Sequence, residues 1–142
     1  VGKKPKVVID TNVIISAFGW DGHPEEIIKL VNKGKIENFT SIEMINELSN
    51  AIKYPRLKFP ESLQAEIIET IFSISSIVNV NQSLKIIDED PGDNKVIECA
   101  LSAKAEFIIS GDKHLLELKK FKEIEILTPS EFLIKRVKNE NI

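Results

Sequence analysis

The chain has 142 residues with 19 Lys plus Arg, 22 Asp plus Glu, two His, one Cys and 42% apolar residues, one domain's worth of chain that can bury roughly two thirds of its unfolded surface in a single core. A net charge of −3 on a chain that is 29% charged excludes a broadly basic nucleic-acid coat and a disordered acidic tract, and names no partner. One cysteine excludes an internal disulfide, nothing resembles a signal peptide, and no apolar run approaches the roughly 20 residues of a bilayer span, so a cytoplasmic protein without membrane association is expected.

Lys6-Val7-Val8-Ile9-Asp10 is a short β-branched run ending in a carboxylate, the pattern of a strand buried on both faces. Thr11 and Asn12 offer helix-capping side chains before Val13 to Phe18, and Gly19, Gly22 and Pro24 punctuate the loop to a second helix over about 24–33, closed by Gly34. Ile36 to Thr40 predicts a second strand, and Ser41 caps a helix to about Lys53, stopped by Pro55. Pro60-Glu61-Ser62 opens the next helix, with Leu63, Ile67, Ile71 and Ile74 at helical spacing. Ile77 to Val80 predicts a strand, Asn81 to Glu89 a polar connection, and Asp90-Pro91-Gly92-Asp93 the start of a helix to about Ala103. Phe107-Ile108-Ile109 is another buried strand, Asp112 opens a short helix through Leu118, and Ile124 to Leu127 is a last strand. Thr128-Pro129-Ser130-Glu131 is a capping-box start for the final helix, with Lys138 to Ile142 expected to fray. Alternating strands and helices predict a three-layer α/β/α fold, one domain over 1–142 with a core of about 6–133, around a largely parallel, five-stranded sheet.

Of the 22 acids 16 are Glu, leaving six Asp at positions 10, 21, 88, 90, 93 and 112. Ligands of open parallel sheets bind beyond the carboxyl ends of the strands. Asp10 ends the first strand and Asp112 follows the Phe107–Ile109 strand after Ser110 and Gly111. Asp93 shares a helical stripe with Ile97, Ala100 and Leu101, the face that packs on the sheet. Three aspartates from distant segments are thereby expected at one edge. Each of the two later ones has a plainer use: Asp93 can serve the helix dipole and Asp112 can be an N-cap, roles worth about 1 kcal/mol each. Asp10 is harder to dismiss, because a carboxylate ending an apolar central strand is costly unless paired or metal-bound. Two like charges about 4 Å apart repel by about 4 kcal/mol at an effective dielectric near 20. A divalent cation offsets that repulsion, and oxygen ligands without His or Cys select Mg²⁺ or Mn²⁺ over Zn²⁺.

With Val8-Ile9-Asp10-Thr11-Asn12, a Glu on the third helix, Asp90-Pro91-Gly92-Asp93-Asn94, Ile108-Ile109-Ser110-Gly111-Asp112 and Pro129-Ser130-Glu131-Phe132, the chain resembles the PIN-domain family of metal-dependent ribonucleases, from about Lys6 to Leu133. Within it the motifs look like the toxins of prokaryotic toxin–antitoxin pairs, akin to VapC. The resemblance implies an acidic site of Asp10, Glu47, Asp93 and Asp112 binding Mg²⁺ or Mn²⁺, supported by Asn12 and Ser110, with Asp90 as a further outer acid or an N-cap. It implies hydrolysis of RNA phosphodiesters to 5′-phosphate products, a cognate antitoxin protein and a homodimer. Glu47 enters mainly by this route: Ile42, Ile45, Leu48 and Ile52 make the apolar stripe of its helix, Glu47 lies opposite beside Glu43, and Glu43 stands as the alternative.

The remaining features are weaker. Cys99, between Ile97 and Leu101, reads as a half-buried hydrophobe, and His23 and His114 form no zinc pattern. Trp20, on a glycine-flanked loop, can stack an RNA base, lie in a dimer interface or anchor its loop on the core. Lys113, Lys119, Lys120 and Lys122 are candidate phosphate contacts or a solvated face. A PIN-like module that binds RNA or protein without cutting is the main alternative function. A phosphoryl-transfer enzyme of the haloacid-dehalogenase type would want a second Asp at Asn12. Setting aside the four implied ligands leaves 18 acids against 19 bases, a near-neutral scaffold around one negative site.

Overall fold

A computed structural model describes residues 4–80 and 91–140, with side chains described over 4–80 and 94–138. The strands are β1 (Lys6–Ile9), β2 (Glu37–Thr40), β3 (Ser75–Ile77), β4 (Phe107–Ile109), β5 (Lys120–Phe121) and β6 (Ile124–Leu127). The helices are α1 (Thr11–Gly19), α2 (His23–Asn32), α3 (Ile42–Ala51), α4 (Glu61–Ile74), α5 (Pro91–Ala103), α6 (Lys113–Leu118) and α7 (Pro129–Glu140), with a 3-10 turn at Pro55–Leu57. Among the described residues the sheet has six strands in the order β3-β2-β1-β4-β6-β5. All neighbours are parallel except β5, which pairs antiparallel with β6.

Period-two alternation in the central strands sorts the core into two clusters, one on each side of the sheet. Val7, Ile9, Phe107 and Ile109 face a cluster holding Val13, Ile14 and Ile15 of α1, Ile27 and Val31 of α2, Ile67 and Ile71 of α4 and Phe132 of α7. Val8 and Ile108 face the other, with Val96, Ile97 and Ala100 of α5 and Leu115 of α6. α3 bridges the two, giving Leu48 to the first and Met44 to the second. The three-layer α/β/α expectation holds.

The sheet differs from expectation in two places. β3 lies at Ser75–Ile77, running straight out of α4, instead of at Ile77–Val80. Its residues are polar because side-chain hydrogen bonds supplement the ladder: Asn38 Nδ2 donates to Ser75 Oγ at 2.9 Å and Ser76 Oγ to Glu37 Oε2 at 3.4 Å. β5 makes a sixth strand where five were expected. Its return to β6 passes through Lys122 at φ 52°, a left-handed position that Gly or Asn would ordinarily announce. Capping residues explain the helix starts: Ser41 Oγ accepts from Met44 N, and the expected capping box closes in both directions, Glu131 N to Thr128 Oγ1 at 3.1 Å and Thr128 N to Glu131 Oε1 at 2.9 Å. α7 then continues to Glu140, past the Lys138 where fraying was expected.

Candidate acidic site at the sheet switch point

From β1 the chain builds outward through β2 and β3, then crosses back to lay β4 on the opposite side of β1. The reversal falls between β1 and β4, where connections leave in opposite directions and a crevice opens beyond the strand ends. The β1–β4 ladder runs from Val7↔Phe107 to Ile9↔Ile109, and Asp10 N extends it with a 2.9 Å hydrogen bond to Ile109 O. Asp10 and Ser110 are therefore the first residues past two adjacent strands.

Asp10 is 5% exposed and Ser110 fully buried. Asp10 Oδ1 accepts from Thr11 N at 2.8 Å, and Oδ2 accepts from the Ser110 hydroxyl at 2.7 Å, a length typical of a hydroxyl on an ionised carboxylate. Having given its proton to Asp10, Ser110 Oγ accepts from Asp112 N at 3.0 Å. One hydroxyl thus fixes the carboxylate of β1 against the backbone of the second acid. Asp112 caps α6, its Oδ1 accepting from His114 N at 2.8 Å and Leu115 N at 3.4 Å, while its Oδ2 takes no hydrogen bond among the described residues. The N-cap expected of Asp112 is real, and among the described residues it leaves one oxygen of that carboxylate uncommitted. At α1 the cap is Asp10, not Thr11 or Asn12; Thr11 is buried and Asn12 is exposed in the first turn.

Asp93 stands in the first turn of α5, as expected, with its side chain outside the described residues; Asp90 lies outside them altogether. Of the stripe expected further along α5, Ile97 and Ala100 are wholly buried and Leu101 is half-buried. Asn94 beside it is 7% exposed, a buried amide at the start of the same helix. On α3 the buried face is Met44, Ile45 and Leu48, with Ile42 49% exposed, so the expected stripe was drawn too far from Met44. That rotation brings Glu47 from the solvent face to a half-buried flank, and leaves Glu43 exposed. Among the described residues no three His, Cys, Asp or Glu side chains group closely enough to hold a metal, so Asp10, Glu47 and Asp112 do not form such a trio. The link observed is Asp10 to Asp112 through Ser110.

Sequence reasoning missed Asn38. It is 1% exposed in β2, its Oδ1 accepting from Ile9 N at 3.1 Å while its Nδ2 donates to Ser75. The β1–β2 register ends at Val7↔Asn38, so the amide side chain takes over where the backbone ladder stops, one residue before Asp10. A polar residue alternating with Ile36 and Thr40 was the available signal. Cys99 is wholly buried rather than half-buried; burial, with the charge of Glu43 as a lesser cause, pushes its thiol up to about 12.

The linked donors are all oxygen, one carboxylate is buried and held on both oxygens, and the other has an oxygen uncommitted among the described residues. This set fits a hard divalent cation such as Mg²⁺ or Mn²⁺. No helix among the described residues is long and apolar enough to cross a membrane.

A family model described as PIN domain matches residues 6–114. The uncharacterized protein MJ1680 of Methanocaldococcus jannaschii is 38% identical over 143 residues, covering 92% of this chain and 90% of its own. Among solved structures, PAE2754 from Pyrobaculum aerophilum superposes with a TM-score of 0.61 at 18% identity, covering 96% of this chain and 99% of its own. The T. brucei RRP44 PIN domain does so with a TM-score of 0.56 at 12% identity, covering 98% of this chain and 84% of its own. The matched segment begins with β1 and ends at His114, just past Ser110 and Asp112, so it spans both halves of the switch point. The chain belongs to the PIN-domain family.

Proposed function

We propose that this protein is a divalent-metal-dependent endoribonuclease that hydrolyses RNA phosphodiesters, acting as the toxin of a toxin–antitoxin pair. The observation that carries the reading is the Asp10–Ser110–Asp112 chain of hydrogen bonds across the β1/β4 switch point. PIN domains are generally nucleases, which supports a hydrolase acting on nucleic acid.

Asp10, Asp93 and Asp112 would hold Mg²⁺ or Mn²⁺, with Glu47 at the flank. A bound ion of this kind lowers the pKa of a water and stabilises charge on the phosphate and the leaving 3′ oxygen. The protein's share is positional. Thr11 N and the Ser110 hydroxyl hold both oxygens of Asp10 in one orientation, so no reorganisation is needed when the phosphate arrives. α6 holds Asp112 through two amides. Asn12, exposed in the first turn of α1, is available to the phosphate. Water attack with loss of the 3′ oxygen leaves a 5′-phosphate on the product.

The test is cleavage of an end-labelled mixed-sequence RNA in Mg²⁺, in Mn²⁺ and in EDTA. Wild type is expected to cut only with metal and to leave 5′-phosphate ends, and Asp10→Asn and Asp93→Asn to lose about a hundredfold or more, the scale of removing one preorganised electrostatic group. Metal-independent cutting, or undiminished cutting by both variants, would sink the site. RNA binding without cutting in either metal would leave the non-catalytic module. The toxin role and homodimer rest on the motif resemblance. A short adjacent reading frame whose product binds this chain and abolishes cutting supports the antitoxin, and sedimentation decides the dimer.

A further inference from the structure

We propose that Trp20 and the 53–59 segment form a second contact surface, which stacks bases and holds backbone phosphates of single-stranded RNA beside the acidic site. The proposal rests on the ribonuclease reading and extends it.

Two aromatic side chains stand out in water here, Trp20 at 58% and Tyr54 at 51% exposure. They come from different parts of the chain, and Phe59, which ends the segment carrying Tyr54, has its ring centroid 6.3 Å from that of Trp20 at an interplanar angle of 49°. Phe59 and Leu57 pack against the larger core cluster, and Gln64 Nε2 donates to Phe59 O at 2.9 Å. Phe59 also lies close over Gly19, where a Cβ would stand 3.0 Å from its ring and the ring would have to give by a few tenths of an ångström. Trp20 itself ends α1, its amide donating to Ser16 O at 3.0 Å. Trp20 anchors its loop on the core through Phe59 and still presents more than half of its indole to solvent.

Charge identifies the occupant. The run Lys53-Tyr54-Pro55-Arg56-Leu57-Lys58-Phe59 carries three cations and no acid, in a chain whose net charge is −3. All three cations are exposed, and none is in an ion pair among the described residues, where the bridges are Lys29–Glu25 and Lys135–Glu125. Arg56 lies over the Tyr54 ring at 5.8 Å, making a cation–aromatic pair. Unpaired bases stack on aromatic rings and guanidinium planes while lysines meet the phosphates, and this combination tolerates any sequence. Stacked duplex bases offer no such faces. The surface is also within reach of the chemistry: Asp10 and Trp20 cap the two ends of α1, roughly 15 Å apart at about 1.5 Å per residue. A strand with its scissile phosphate at Asp10 reaches Trp20 within a few nucleotides.

Trp20 is the one tryptophan of the chain, so its emission reports on this surface alone. The experiment titrates the full protein with a 12-nucleotide oligo(U) in EDTA at low salt, where binding is read without cutting. Expected are saturable quenching by the single strand, much weaker quenching by a duplex of equal length, and a roughly 5- to 100-fold weaker Kd by anisotropy for Trp20→Ala. The triple variant Lys53→Ala/Arg56→Ala/Lys58→Ala should bind more weakly and lower the slope of log K against log salt by about 2, at about 0.7 per lost phosphate contact. The substituted side chains are exposed, so melting temperatures near wild type keep the comparison clean. Binding with unchanged emission and equal affinity in both variants overturns the proposal, as does equal quenching by duplex, and would turn this surface over to a protein partner. Quenching without metal-dependent cutting would keep the surface and remove the ribonuclease reading; cutting without quenching would do the reverse.

Discussion

Ser110 has one proton and spends it on Asp10, and that asymmetry makes it the most informative single side chain near the strand ends. Ser110→Ala is nearly isosteric, so the core should persist. Asp10 loses the Ser110 hydroxyl that fixes its Oδ2, and the half-saturating Mg²⁺ concentration for cleavage should rise about 10- to 100-fold, the usual effect of removing a group that orients a metal ligand. A variant that melts lower with an unchanged Mg²⁺ requirement would reduce Ser110 to a packing residue. Cys99 supports a second prediction. Its folded thiol titrates near 12 against an ordinary 9.0. A raised acid stabilises the fold fully below the ordinary value, and that contribution is lost as pH climbs from about 9 through 12. Wild type should therefore lose more unfolding free energy than Cys99→Ala between pH 8 and pH 10.5 in urea titrations. The native thiol should also resist alkylation at pH 8 until the protein unfolds.

At the scale of the element, most starts and stops were legible because they are written in short-range chemistry. Ser41, the Thr128 and Glu131 pair and Gly34 at φ 74° sit at helix ends as their types demand, and β4 and β6 fall where their apolar runs lie. The placing of Asp10 and Asp112 just past the ends of β1 and β4 was legible from the order of the strands. What escaped depended on partners distant in sequence. The face of α3 is decided by Met44 packing near α5, which moved Glu47 inward, and β3 is decided by Asn38 reaching Ser75. β5 was concealed by a lysine in a left-handed turn. α7 offers the test of this scale. Phe132 is 2% exposed and meets Phe107 edge-on at 5.4 Å and 77°. Phe132→Ala should cost about 3–5 kcal/mol, measured by urea unfolding, by opening a cavity beneath the helix. A loss below about 1 kcal/mol would mean that α7 is held chiefly by its ends.

For the whole molecule, the charge balance becomes a statement about metal. If the negative site gathers Asp10, Asp93 and Asp112, Mg²⁺ relieves repulsion that the fold otherwise carries. The melting temperature of wild type should then rise with Mg²⁺ by more than that of Asp10→Asn; equal shifts would mean that the ion binds elsewhere. The order of the strands has a consequence in time. Asp10 is made early, but its hydrogen-bond partner lies 100 residues later, on a strand that must insert beside β1 and be flanked by β6. No growing chain on a ribosome can assemble the pair before Ser110 has emerged. Fragments ending before β4 should show no Mg²⁺-dependent cutting. On the proposed ribonuclease reading, the topology keeps the acidic site unassembled until β4 has emerged and paired with β1.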